Sequence, residues 1–313
     1  MPRKQTINLD KIASSNYLIG FEFEICMPLD SKYNNLTFNK KAYEEYFYRE
    51  LSIKLNAGMP EKDAMDEVKA ECNYSAFIMH GDISIWDIKI NELKKLLPLA
   101  MKTSYESIVT GNDWYIKFDD TIKGKNNIIV VDGCEYIIND FGVEISTLAY
   151  DINEGISILN MVLEFIKANG YTNESTGLHI SINDKRYNKI DQKWLLLAIL
   201  FNDKFFTKQF NRVDNKFNQS LFRFFKEVKN ADNKLNYDYL ESEFKKWAIT
   251  CKNNSINFKH TNYYEFRVFG NNNYEYKFEQ LRNDIFILID EFNKINGDHK
   301  KYLKRIASLL YRN

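Results

Sequence analysis

From Tyr17 the chain alternates. Tyr17, Ile19, Phe21, Phe23 and Ile25 fall on one side of an extended backbone, and Gly20, Glu22 and Glu24 on the other. Successive strand residues point to opposite faces, so this pattern predicts a strand over 17–26 with one apolar face and one carrying carboxylates. The alternation returns at 141–147, where Phe141, Val143 and Ile145 oppose Gly142, Glu144 and Ser146. At 177–183, Leu178, Ile180 and Ile182 oppose Gly177, His179, Ser181 and Asn183. At 263–269, Tyr264, Phe266 and Val268 oppose Glu265, Arg267 and Phe269. Further strands are expected at 114–118, 127–131 and 134–138, the last two joined by Asp132-Gly133, a strong short-range hairpin signal.

Between these strands the spacing turns helical. Helices are expected at 40–56, at 60–72 with Pro60 in the first turn, and at 88–107, bent at Pro98. Others are expected at 152–169, closing on Gly170, and at 191–206, 216–229, 235–250, 274–293 and 298–311. Tyr43, Tyr46, Phe47 and Leu51 recur at helical spacing and are read as core packing. Antiparallel strands with helices segregated between them predict an α+β fold. The expected organisation is one domain over 1–313, with a helical insertion at 38–110 and a helical C-terminal part at 274–313.

With 44% hydrophobic and 15% aromatic residues in 313, the chain can bury a substantial core. Lys plus Arg equals 43, as does Asp plus Glu, so no basic excess supports a nucleic-acid or anionic-membrane partner. No apolar run approaches the ~18 residues of a membrane span, and the N-terminus lacks the apolar core of a signal peptide. The four cysteines are far apart with no C-x-x-C pair. Together these features predict a cytoplasmic protein with reduced thiols and no membrane contact.

The polar strand faces carry the chemistry. Gly20-Phe21-Glu22, Gly142-Val143-Glu144 and Gly177-Leu178-His179 each set a glycine beside an ionisable group. A strand glycine admits close approach of something bulky to the sheet. Seen singly, E-x-E is usually a solvated face, a strand histidine a hydrogen-bonded structural residue, and Glu-Phe-Arg a cross-strand ion pair. Jointly, on matching faces expected to be exposed, the carboxylates and one imidazole predict a divalent-cation site suited to Mg²⁺ or Mn²⁺ rather than zinc. Neither a P-loop nor a G-x-G-x-x-G run is present. No histidine partner is implied for Cys26, and His80, His260 and His299 read as structural or surface residues.

Gly20-Phe21-Glu22-Phe23-Glu24 resembles the G-x-E-x-E strand that opens the amidoligase family, carboxylate–amine ligases related to glutamine synthetase and glutamate–cysteine ligase. In the same order, WYIKFDDTI from Trp114 is similar to that family's W-x-V-x-x-D-x-S-L segment. FGVEIST from Phe141 is similar to its G-V-E strand, Gly177-Leu178-His179 to G-L-H, and YEFRVF from Tyr264 to E-F-R-x-F. The family often has a second histidine where this chain has Ser181, and the 38–110 stretch is longer than expected between the first two motifs.

The resemblance implies a mostly antiparallel, glutamine-synthetase-like sheet with one polar catalytic face and helices on the other. It implies ATP and Mg²⁺, with Mn²⁺ as the alternative, and amide or peptide-bond formation between a carboxylate and an amine through an acyl phosphate. Glu22, Glu24, Glu144, His179 and Glu265 would contact the metal or metal–nucleotide. Arg267 would neutralise the transferring phosphate, and Glu144 would share in catalysis. Asp119 would orient the amine or a water, against a simple turn role, and Arg212 would clamp a phosphate or carboxylate. A metal-dependent hydrolase or nuclease using the same face, or an inactive binding module, are the rival expectations.

Overall fold

A computed structural model describes residues 16–28, 36–72, 77–80, 83–85, 87–88, 91, 102–103, 114–119, 121–131, 133–201, 203–212, 220–221, 223–224, 237–250 and 253–295. The strands are β1 (Tyr17–Met27), β2 (Leu36–Phe38), β3 (Ile78–His80), β4 (Ile83–Ser84), β5 (Lys102–Thr103), β6 (Tyr115–Phe118) and β7 (Asn126–Val131). They continue with β8 (Cys134–Asn139), β9 (Phe141–Ser146), β10 (Tyr150–Asp151), β11 (Gly177–Asp184), β12 (Ile256–Asn257) and β13 (Tyr264–Gly270). The helices are α1 (Lys40–Asn56), α2 (Glu61–Glu71), α3 (Ile152–Asn169), α4 (Trp194–Phe201), α5 (Asp203–Gln209), α6 (Tyr237–Ala248) and α7 (Phe278–Ile295). The fold is α+β with a mainly antiparallel sheet. Two compact units divide the chain: Met1–Ile25 with Glu144–Asn313, and Cys26–Val143.

In the first unit the strand order is β12-β13-β11-β1-β9, with β10 also paired to β1. The apolar faces of β1, β11 and β13 are buried as the alternation predicts: Ile19, Phe21, Phe23, Leu178, Ile180, Ile182, Tyr264 and Phe266. Helix α3 covers β1 with Leu159, Val162, Leu163 and Ile166, a stripe at helical spacing. It can come close because Gly155 faces Ile19; a Cβ there would meet the Ile19 Cγ1 at 2.4 Å. Helix α4 is apolar on every side and every residue in it is buried. A helix so placed leaves its first backbone N–H groups without water. Glu241 on α6 accepts those of Trp194 and Leu195, at 2.7 and 3.1 Å.

The helix expected over 191–206 is two helices. Asp203 opens the second, as an acidic first-turn residue suits, and its carboxylate accepts from Leu221 N and Ser255 Oγ. Gly170 closes α3 with its N–H on Ile166 O, but its backbone is extended rather than left-handed. The helices expected at 216–229 and 298–311 lie largely or wholly outside the described residues.

In the second unit the 38–110 stretch is not wholly helical. α1 and α2 are present, but β2, β3 and β4 form an antiparallel sheet. Runs of two or three residues give no readable period, so such strands escape pattern analysis. Most of 88–107 lies outside the described residues; within it Lys102–Thr103 is strand, paired in parallel with β6. Tyr43 and Phe47 pack as expected, in an aromatic cluster with Phe38 and Phe77. Pro60 sits at the helix cap, one residue ahead of the expected first turn. The β7–β8 hairpin forms with Gly133 at a φ of 77°, the left-handed conformation such a turn needs. No helix among the described residues is long and apolar enough to cross a membrane.

One buried acid makes the fold pH-sensitive. Asp284 on α7 is 3% exposed. Burial pushes its carboxyl up to about 7, against a hydrogen bond from Gln209 Nε2 that pulls it down. From about pH 4 to pH 7 the folded chain retains a proton that the unfolded chain has lost, so stability falls as pH rises through that window. Asp284→Asn is expected to stabilise the protein at pH 8 by on the order of 1–4 kcal/mol and by less at pH 5. Thermal melts at both pH values measure this, and an equal shift at both contradicts it.

Candidate active site

Three neighbouring antiparallel strands bring the ionisable groups together. β1 and β11 pair with Glu22 opposite His179, and β11 and β13 pair with Ser181 opposite Glu265. Nδ1 of His179 lies 2.9 Å from Glu22 Oε2 and 3.1 Å from Glu265 Oε1. Nε2 of the same ring faces Glu24 Oε1 at 3.5 Å and, although buried, has no hydrogen-bond partner among the described residues.

The β11–β13 register slips at His179. Leu178 pairs with Phe269 and Ile180 with Phe266, so Arg267 and Val268 together oppose one residue. This is a β-bulge, and it shifts every later side chain by one face. Phe269, expected on the polar side, therefore joins the apolar face and packs on Phe206 and Phe210. Arg267 stays beside the acids, its Nη1 2.5 Å from Glu265 Oε1. The Arg267 Nε is buried with no hydrogen-bond partner among the described residues.

The polar face is far less exposed than expected. Glu24 is 9% exposed, Glu144 7%, His179 2% and Glu265 2%; Glu22 and Arg267 are half-buried. One cause is that the strand glycines receive the chain itself. A Cβ on Gly177 would meet Arg212 Nη1 at 2.4 Å and Glu24 Oε2 at 2.8 Å, so the glycine makes room for a guanidinium beside Glu24. That head donates to Phe269 O at 2.5 Å. Gly20 faces the backbone of Leu148, and Gly142 that of Asp119, at 3.1 and 2.3 Å from their virtual Cβ atoms.

Of the expected site residues, Glu22, Glu24, His179, Glu265, Arg267 and Arg212 gather in the first unit. Glu144 belongs to the same unit; it has a carboxylate oxygen within 4.8 Å of one on Glu24 and accepts from Ser146 Oγ at 3.0 Å. Asp119 belongs to the second unit. Its Oδ1 accepts from Thr121 N and Thr121 Oγ1 at 2.9 and 2.6 Å, the geometry of a turn.

Sequence reading missed two contributors. Asn257 Nδ2 and His260 Nε2 reach Glu265 Oε2 at 2.6 and 2.8 Å. β12 supplies Asn257 directly opposite Glu265, but a two-residue strand carries no alternation. The usable signal is a histidine five residues before the E-F-R run, across a short polar loop. His299 lies outside the described residues.

The electrostatics follow from burial among opposed charges. Burial and the Arg267 charge both push the His179 imidazole down. Hydrogen bonds to Glu22 and Glu265 and the Glu24 charge outweigh them and raise it to about 9. Burial pushes the Glu265 carboxyl up, but hydrogen bonds from His179 and His260 and the Arg267 charge hold it well below the usual carboxylate range. Burial lowers the Arg212 guanidinium, against the pull of Glu24.

These donors fit a hard divalent cation. Octahedral Mg²⁺ takes ligands at about 2.1 Å, so adjacent ligand atoms stand about 3.0 Å apart. The 2.9 and 3.1 Å spacings around Nδ1 are hydrogen-bond distances in the metal-free protein, and they are also close to that edge length. Glu22, His179 and Glu265 each offer one atom, all within 4.8 Å of one another. With Nδ1 given to a cation, the imidazolium loses its Nδ1 proton and keeps the one on Nε2, which faces Glu24, an arrangement that fixes a ligating imidazole. A cation and the imidazole proton thus compete for the same three residues.

Comparison with family models, with curated proteins and with solved structures finds no match for this chain.

In metal-free protein His179 is expected to stay protonated at neutral pH and to titrate near 9, readable by histidine NMR. Its folded pKa is raised, so its stability contribution is fully present below about 6.5 and is lost as pH rises through about 9. Glu22→Gln is expected to lower that titration point by roughly one unit. An unchanged titration in the variant contradicts the assignment.

Proposed function

We propose that the protein is an ATP-dependent carboxylate–amine ligase whose glutamine-synthetase-like sheet carries the reaction on its polar face. The observation that carries the reading is the Glu22–His179–Glu265 group, its three potential ligand atoms within 4.8 Å of one another, with Arg267 against it. The five motif resemblances, in family order along the chain, supply the reaction class. The substrate carboxylate attacks the γ-phosphorus of ATP, breaking its bond to the β–γ bridging oxygen and releasing ADP. The amine then attacks the acyl carbon, the carbon–oxygen bond to phosphate breaks, and the nitrogen loses a proton.

Glu22, His179 and Glu265 would hold Mg²⁺ or Mn²⁺, with Glu24 orienting the imidazole through Nε2. The bound cation supplies charge neutralisation for phosphoryl transfer. Arg267 donates through Nη1 to Glu265 and its side chain stays 16% exposed, so its guanidinium would have donors left for phosphate oxygens. Arg212 is better suited to offsetting the charge of Glu24 than to clamping substrate, because its head lies over Gly177 and donates to Phe269 O.

Calorimetric titration of ATP is expected to show binding that needs Mg²⁺ and is lost in Glu22→Gln, with ADP release once the right carboxylate and amine are supplied. No binding at millimolar ATP to folded protein removes the energy source, and Mn²⁺-dependent phosphodiester cleavage by such protein would favour a nuclease. Arg267→Lys loses the planar fork. It is expected to reduce turnover roughly 100-fold or more while changing ATP affinity only a few-fold. Equal losses in both would contradict a role in the transition state.

A further inference from the structure

Glu265 has two oxygens with different surroundings. Oε1 faces His179 Nδ1 at 3.1 Å and Arg267 Nη1 at 2.5 Å. Oε2 faces Asn257 Nδ2 at 2.6 Å and His260 Nε2 at 2.8 Å. Nε2 of His260 also stands 3.0 Å from Asn257 Nδ2, but its shorter contact is to a carboxylate oxygen, which only accepts, so the hydrogen is assigned to Nε2 and both nitrogens donate to Oε2. Asn257 cannot turn its amide over, because its Oδ1 already accepts from Lys259 N at 3.0 Å.

The loop that carries these two donors is itself fastened. Lys189 is 6% exposed. Its ammonium lies 4.8 Å from the centre of the Tyr264 ring and 5.1 Å from that of Trp194. It donates to the carbonyls of Phe258 and His260 at 2.7 and 2.5 Å. A buried ammonium without acceptors is costly, so Lys189 and those two carbonyls hold each other. The His260 ring then lies flat on Tyr263, centroids 4.2 Å apart and planes 17° from parallel. Its side chain remains 31% exposed.

We propose that His260 is a positioning residue for the cation site: with Asn257 it fixes Oε2 of Glu265, leaving Oε1 aimed at the ligand position beside Nδ1 of His179. The proposal rests on reading Glu22, His179 and Glu265 as cation ligands. A glutamate carboxylate turns about a soft terminal torsion, so without the two donors on Oε2 its aim is lost although its charge remains. Partners that orient ligands in this way set metal affinity rather than fold stability.

The test is Mn²⁺ alone, titrated into nucleotide-free protein and followed by the electron-spin resonance of free Mn²⁺, beside melting curves of the metal-free proteins. His260→Ala is expected to weaken Mn²⁺ binding roughly 10- to 100-fold, with a modest fall in melting temperature because Asn257 still donates to Oε2. His260→Gln, which restores an N–H donor, is expected to recover most of the affinity. Wild-type affinity in His260→Ala overturns the positioning role and leaves the cation reading intact. A loss shared equally by Ala and Gln with a matching fall in melting temperature marks a merely structural residue and also overturns it. No Mn²⁺ uptake by the wild-type protein removes the cation reading, and the positioning role with it.

Discussion

A buried carboxylate is tolerable only when its acceptor sites are filled, and Glu265 fills them with His179, Arg267, Asn257 and His260. Those donors come from β11, β13, β12 and the loop after it, so one side chain ties three strands. The dependence is mutual. Without Glu265, Arg267 and a protonated His179 would face each other across a desolvated space, a kind of arrangement that costs about 3–5 kcal/mol. Lys189 extends the same logic one layer out, its buried ammonium fixing the loop that supplies His260.

Charge is balanced locally rather than by solvent. Glu22, Glu24 and Glu265 stand against Arg267, Arg212 and a protonated His179. Backbone geometry permits this density of charge. Gly177 pairs with Gly270; the missing Cβ of Gly177 lets a guanidinium lie directly on the sheet, and that of Gly270, at a φ of 106°, lets the two strands' backbones approach. The bulge opposite His179 then turns the strand so that Arg267 stays among the acids while Phe269 returns to the helices.

Much of this was readable from residue order. Period-two alternation located β1, β9, β11 and β13 and assigned Glu22, Glu24, Glu144, His179, Glu265 and Arg267 to polar faces, because long strands with one buried face must alternate. The limits have physical reasons. A bulge breaks the period without a sequence signature, which misassigned Phe269. Burial cannot be read from polarity, so a face of carboxylates passed for a solvated one. The glycines signalled close approach, but whether of ligand or of the chain's own Arg212 depends on tertiary packing. His260 and Asn257 act through a two-residue strand and a loop, where no periodicity exists to find them.

The strand order has a temporal consequence. Glu22 and His179 are separated by 157 positions along the chain, yet they sit side by side. Contacts between such remote segments require closing very large loops, whose entropy must be met before any pairing energy returns. β1 emerges first and waits for β11, and both wait for β13, before the cluster exists at all. The acidic centre is therefore a late product of folding, and no partly built chain displays it.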